Sequence, residues 1–384
     1  MLRRVLIVLA LVWAAAAAHA VPIVPTRDDE VIEVLPAVAG GARSEERRQR
    51  EQLAKTPRDA GLALVVARRA LARAHELGDP RFAGMAMAAI DGWRNDAQAP
   101  ADVMLMRATL QQYLHEFDAA AATLRRLLAR PGAPQPQAWL TLATVRRVQG
   151  RYAESDLACR EVAGAGSALH ATACLAENAA LRGEFERARM SLEGLLATPR
   201  LAAGTRGWLL TTLAELEQRA ARPVAADGAY RAAMEAQPDD YTRLAYADFL
   251  IEQQCAVQAL AMLKDRARSD AVLLRLAIAG AQAKAPGVAA DIAEMRERIA
   301  AANARPDAKR LHGREQAMFA LWIDGAADHA LELARGNVAQ QREPLDLLVF
   351  AQAARRSGQA GAREEVRRTV DTIGLRDERI RELL

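Results

Sequence analysis

The feature that most constrains this chain is a recurrence of small side chains. Ala108, Ala143, Ala176, Ala214 and Ala247 follow one another at intervals of 35, 33, 38 and 33 residues. Ala120, Ser155, Ala188, Ala226 and Ala259 reproduce the same four intervals. Two series in step mark a unit of two elements, and a period in the thirties is that of stacked helical hairpins. Four residues after each member of the second series stand Leu124, Cys159, Leu192, Tyr230 and Leu263, which one helical turn places on the same face. Phe117, Tyr152 and Phe185, spaced by 35 and 33, sit just after the turn. Small residues recur because paired helices approach to about 8–10 Å only where the side chain at the crossing is small.

Breaks separate the helical stretches: Pro57, Gly78-Asp79-Pro80, Pro100, Pro131 to Pro136, Gly150, Gly183, Pro238, Pro286-Gly287, Pro306, Gly325 and Gly358. Proline lacks a donor and clashes with the preceding turn, while glycine accepts the positive φ that closes a helix. Alanine is abundant, aromatics make up 4% and β-branched residues are sparse, which favours helix and starves sheets. With 51% hydrophobic and 26% charged residues the chain can bury a core, so wholesale disorder is excluded. No Pro/Ser-rich linker or charge block divides it, which points to one extended array rather than separate domains.

The first twenty residues read differently. Met1-Leu2-Arg3-Arg4 is a short basic start, Val5 to Ala18 is uninterruptedly apolar, and Ala18-His19-Ala20 offers a cut before Val21. Fourteen apolar residues rise about 21 Å as a helix, short of the roughly 30 Å hydrocarbon core. The expectation is a signal peptide over 1–20, cleaved after Ala20, and a periplasmic or otherwise exported protein without stable membrane insertion after cleavage. The remaining divisions are an extended N-terminal segment over 21–43, N-terminal helices and a degenerate repeat over 44–100, regular repeats over 101–268, and degenerate C-terminal repeats with a cap over 269–384. Formal charge is +4, acidic and basic residues interleave, and the only lysines are Lys55, Lys264, Lys284 and Lys309. A nucleic-acid partner is not expected from so weak and mixed a charge.

One unit carries a family resemblance. Ala138-Trp139-Leu140-Thr141-Leu142-Ala143, followed by Gln149-Gly150-Arg151-Tyr152-Ala153-Glu154-Ser155, resembles the tetratricopeptide repeat (TPR), with Arg146 where a tyrosine is expected and Cys159 where a later aromatic is expected. The unit near Ala171 keeps Leu175-Ala176, Gly183-Glu184-Phe185 and Ala188, and the one near Trp208 keeps Leu213-Ala214, Ala226, Tyr230 and Pro238-Asp239-Asp240. The resemblance spans Ala101 to Leu263 and degenerates on both sides. It implies an all-α fold, an α-solenoid of stacked antiparallel helix pairs in a right-handed superhelix, whose first helices line a concave groove for a peptide or partner helix. Inward positions counted from the small-residue series are Asp102, Leu105, Thr109, Tyr113, Gln137, Leu140, Thr144, Arg147, Ala173, Glu177, Thr211, Glu215, Leu244 and Asp248.

Chemistry is sparse. The six histidines, 19, 75, 115, 170, 312 and 329, include no pair three or four apart, and neither His75-Glu76 nor His115-Glu116 belongs to an H-E-x-x-H motif. No catalytic residue, cofactor or metal site is expected. Gly164-Ala165-Gly166-Ser167 reads as a turn between repeat helices and Asp239-Asp240 as a helix start. Cys159 and Cys174 fall on neighbouring helices, where they can pair or act as small buried fillers, the second reading being preferred; Cys255 is left over. The expected function is that of an exported, non-enzymatic scaffold binding another protein or peptide in assembly or maturation of a cell-envelope or secreted complex, with self-association open. The alternative is a small-molecule or glycan binder in the superhelix interior near Trp208 or Tyr241.

Overall fold

The computed structural model describes residues 40–304 and 312–384, with side chains from Ser44 onward. The expected signal peptide and nearly all of segment 21–43 lie outside the described residues, as does Pro306. Contacts divide the chain into residues 1–51 and a compact body, Gln52–Leu384. The first described helix, α1 (Gly40–Lys55), begins at the Gly40-Gly41 pair that sequence places in an extended stretch.

In the body the helices come in pairs. They are α2 (Ala60–Leu77) with α3 (Pro80–Ala89), α4 (Ala101–Tyr113) with α5 (Phe117–Leu128), α6 (Pro136–Val148) with α7 (Tyr152–Gly164), α8 (Ala168–Leu181) with α9 (Phe185–Leu196), α10 (Ala203–Arg219) with α11 (Pro223–Ala236), and α12 (Asp240–Glu252) with α13 (Ala256–Leu263). Three further pairs follow: α14 (Asp270–Ala283) with α15 (Val288–Asn303), α16 (Gly313–Trp322) with α17 (Ala327–Val338), and α18 (Pro344–Ser357) with α19 (Ala362–Ile373). The short α20 (Glu378–Leu383) packs on α18. Among the described residues there is no strand. Each helix packs on its partner, and the first helix of each pair also touches the first helix of the next. This is an all-α solenoid.

The small-residue series sits where packing distance requires it. All ten members are buried, none more than 4% exposed, and the five residues one turn after the second series are fully buried. In one pair the two series meet directly: Ser155 Oγ on α7 donates to the Ala143 carbonyl on α6 at 2.8 Å. Asn178 Nδ2 on α8 in turn donates to Ser155 Oγ at 2.9 Å, tying one pair to the next. A third series emerges that residue type conceals. His115, Gly150, Gly183, Ala221 and Gln254 occupy the turn between first and second helix at the same 35, 33, 38 and 33 intervals, all with positive φ from 54° to 85°. Geometry repeats there even where glycine does not.

Local signals behave as their chemistry dictates. Asp239 accepts from the Thr242 backbone N–H as the cap of α12, and Gly164 to Ser167 turns from α7 into α8. The cysteines require a correction. Cys159 and Cys174 are bonded to one another, their Cα atoms 5.7 Å apart, and both are buried. The preferred filler reading overlooked that α7 and α8, joined by a short turn, bring the two Cβ atoms face to face. Cys255 carries the free thiol.

The body does not remain an open spiral. The Arg342 backbone N–H donates to the Val148 carbonyl at 2.7 Å, and Arg376 N–H to the Leu181 carbonyl at 2.8 Å. A β-carbon on Gly183 would stand 2.9 Å from that of Arg376, and one on Gly150 2.9 Å from Ile373 Cγ2. Gly78 abuts Ser269 in the same manner. Residues about 190 positions apart are therefore neighbours, so the second turn lies on the first. Tyr152 and Leu181 accordingly belong to the hydrophobic core of the C-terminal pairs, with Leu274, Phe350, Leu375 and Ile380.

Candidate functional site

Closure converts the concave side into an interior. The first helices α6, α8, α10, α12 and α14 form one wall; Arg314 and Glu315 of α16, the 342–345 connection and Arg379 of α20 form the other, around a cavity of about 580 Å³. A second cavity of about 390 Å³ adjoins it, between the ends of α2 and α4 and the start of α14.

Of the inward positions counted from sequence, Thr144, Arg147, Glu177, Thr211, Glu215, Leu244 and Asp248 line the larger cavity. Thr109 and Tyr113 line the smaller one. The other five face neither: Asp102 and Gln137 are exposed at helix starts, Leu105 and Leu140 pack against the N-terminal core, and Ala173 is fully buried in the core between α8 and α10. Trp208 and Tyr241, singled out for the alternative reading, both line the larger cavity. Trp208 stacks on His170 with ring centroids 5.7 Å apart.

The lining carries alternating charges, most of them paired. Arg147 Nε lies 3.0 Å from Glu177, and Arg275 Nη2 donates to Asp248 at 2.6 Å. Arg314 bridges to Glu343 and, at 2.6 Å, to Asp346. Burial works against the Arg314 charge, but the two carboxylates outweigh it and its pKa rises. Arg379 is held at 2.9 Å by Glu252 and at 2.6 Å by Asp377. Tyr241 donates to Glu215 at 2.6 Å. Tyr241 is 65% exposed and lines the cavity. Glu215's pKa is pushed up by burial, which outweighs the Arg219 charge and the Tyr241 hydrogen bond. The Tyr241 phenol is pushed up first by the Glu215 charge and then by burial.

Against this pairing stand donors with no acceptor. Arg147 Nη1, Arg219 Nε and Nη2, Arg275 Nε and the Tyr152 hydroxyl are buried without a hydrogen-bond partner among the described residues. Arg219, on the last turn of α10, is 4% exposed. It forms no ion pair with Glu215, one turn earlier on the same helix face. Tyr152 feels the positive charges of Arg219 and Arg147, although burial raises its pKa overall.

The smaller cavity gathers His75, His115 and His312 with Asp270 and Glu315. Among the described residues no three metal-ligating side chains stand close enough to hold an ion. His75 meets Tyr113 edge-on at 4.8 Å. Burial lowers the His75 pKa, while burial, aided by the Asp79 charge, raises that of Tyr113 to about 12. Sequence reasoning missed Tyr152, Arg219, Arg275, Arg314, Arg342 and Arg379. Arg219 lies one turn after Glu215 on α10, where the helical period could have reached it, whereas Arg275 on α14 stands 27 residues after Asp248, outside the spacing of the repeat. Arg314, Arg342 and Arg379 arrive from the second turn, for which no local signal exists. No family model matches the chain, and no curated protein does.

Proposed function

We propose that the chain is an exported, periplasmic TPR-like scaffold, without catalytic activity of its own, that holds another protein during assembly or maturation of an envelope or secreted complex. The observation that carries this is a row of apolar side chains on the outer faces of four successive second helices. Leu157 on α7, Met190 on α9, Val224 on α11 and Val257 on α13 are 60%, 65%, 87% and 70% exposed. They recur at 33, 34 and 33 residues. Leu157 and Met190 stand two places after the buried small residue of their helix, Val224 and Val257 two places before it, so all four point away from the crossing. Isolated exposed apolar residues are ordinary, but four on successive second helices, slipping by one turn between α9 and α11 yet staying on the side away from the crossing, form a contact surface. Its extent over four second helices suits a partner helix with one apolar face.

A photo-reactive residue at Met190 in intact cells is expected to capture one stoichiometric partner. The double variant Leu157→Glu, Val224→Glu, carrying the same photo-reactive residue at position 190, should abolish that capture while leaving the helical circular dichroism and thermal midpoint unchanged. Undiminished capture by the double variant would remove the row as the contact surface. The mass of the protein recovered from the periplasm should correspond to a chain starting at Val21.

A further inference from the structure

We propose that the larger interior cavity is a binding site for a small organic anion, a carboxylate or phosphate on an apolar body, seated on Arg219, Arg147 and Tyr152. The surplus of donors is the main ground. Four carboxylates on the cavity wall are already engaged: Glu177 by Arg147 at 3.0 Å, Asp248 by Arg275 at 2.6 Å, Glu343 by Arg314, and Glu215 by the Tyr241 hydroxyl at 2.6 Å. The remaining acidic lining residue, Glu315, lies where the two cavities adjoin, since it lines both. What is left over is a set of hydrogen-bond donors: Nε and Nη2 of Arg219, Nη1 of Arg147, Nε of Arg275 and the Tyr152 hydroxyl lack any acceptor among the described residues.

A buried guanidinium whose N–H groups lack acceptors is a costly arrangement, and buried polar groups in folded proteins are almost always matched. Arginine's planar fork suits the paired oxygens of a carboxylate or phosphate. Glu215 is a poor internal answer to Arg219, because its one near donor is Tyr241 and burial raises its affinity for a proton. Trp208, Leu244, Pro344 and Leu345 supply apolar wall beside the cations. About 580 Å³ lies within the range of sites for small organic ligands.

The test uses the purified chain and phenyl phosphate, titrated by isothermal calorimetry and followed by thermal melting, with benzyl alcohol and inorganic phosphate in parallel. Phenyl phosphate should bind and raise the melting temperature, benzyl alcohol should do neither, and inorganic phosphate should bind at least about tenfold more weakly. Arg219→Met should weaken phenyl phosphate at least about tenfold while the unliganded protein melts at the same temperature or higher, because an unpaired buried charge has been removed. A purely structural arginine would instead lower that melting temperature. Tyr152→Phe, which deletes only a hydroxyl, should give a smaller loss in the same direction. Absence of phenyl phosphate binding up to millimolar concentration, or equal binding by the Arg219→Met protein, would overturn the proposal; inorganic phosphate binding as tightly as phenyl phosphate would overturn its organic part. Leu157 and Val224 do not line this cavity, so variants on the outer row leave the titration untouched and the two readings fail separately.

Discussion

In the pairs between Ala101 and Leu263 one small residue sets each crossing and the outer faces of the second helices stay wet. In the pairs between Asp270 and Ile373 the first helices are covered nearly all round. On α14 every residue from Val272 to Gly280 is buried, on α16 every residue from Gln316 to Leu321, and on α18 every residue from Asp346 to Ala351. On α4, by contrast, only Val103, Met104, Ala108 and Leu110 are. A helix buried on one stripe keeps a legible period, whereas one buried on all sides loses it. The consensus therefore fades where long runs of consecutive burial, as on α14 and α16, replace a single stripe.

The sharpest way to break this contrast is at Asp346, fully covered in the C-terminal half. It accepts from Arg314 Nε at 2.6 Å, Asn337 Nδ2 at 2.7 Å, Gln341 Nε2 at 3.1 Å and the Glu343 backbone N–H at 2.8 Å. Asp346→Ala strands all four donors and should cost about 3–5 kcal/mol in urea unfolding; a loss smaller than that of a crossing variant in the regular half would refute the contrast. Next in size is the disulfide, which closes 15 residues within the regular half. The double variant Cys159→Ala, Cys174→Ala should lose about 3 kcal/mol, and alkylation without reductant should label Cys255 alone.

At the crossings, Ala188→Leu should cost about 1–3 kcal/mol by overpacking, read by thermal melting. The turn series allows a paired test. Ala221 sits at φ 54°, so Ala221→Gly should stabilise by up to about 1 kcal/mol, while Gly183→Ala, at φ 85° and against Arg376, should destabilise by about 1–2 kcal/mol or more. If both changes were neutral, the turn residues would not set the stacking of the two halves. The smallest effect concerns His75. Its lowered pKa means that the unfolded chain binds the proton more tightly, so stability is intact above 6.5 and falls as pH drops below that value. The residue is only partly covered, so the slope should be shallow, and His75→Gln should remove it from melting temperatures recorded between about pH 7.5 and 5.5.

The regular half was readable because each of its constraints is local. Ala143 and Ser155, or Ala176 and Ala188, lie twelve residues apart and answer to one hairpin, so their spacing records the geometry directly. The turn residues were less readable, since His115, Ala221 and Gln254 adopt the conformation that Gly150 and Gly183 advertise. The disulfide was recognised only as a possibility, because spacing gives proximity along the chain and not the direction of two Cβ atoms. The cavity was half legible. Its first-turn wall follows the period, which is why Thr144, Arg147, Glu177, Thr211 and Glu215 were found. Its second wall depends on contacts such as Arg342 with Val148, about 190 residues distant, and a single sequence carries no signature for these.

That distance has a temporal consequence. As the chain emerges from its N-terminal end, α6 and α8 must wait, their terminal carbonyls at Val148 and Leu181 still wet, until residues 342 and 376 have been made. Hairpins alone would let a solenoid zip up progressively from either end; here the clasp arrives late and locks what came early, placing the slowest loop closure last. Amide exchange at the ends of α6 and α8 should therefore report on the far terminus rather than on their own neighbours.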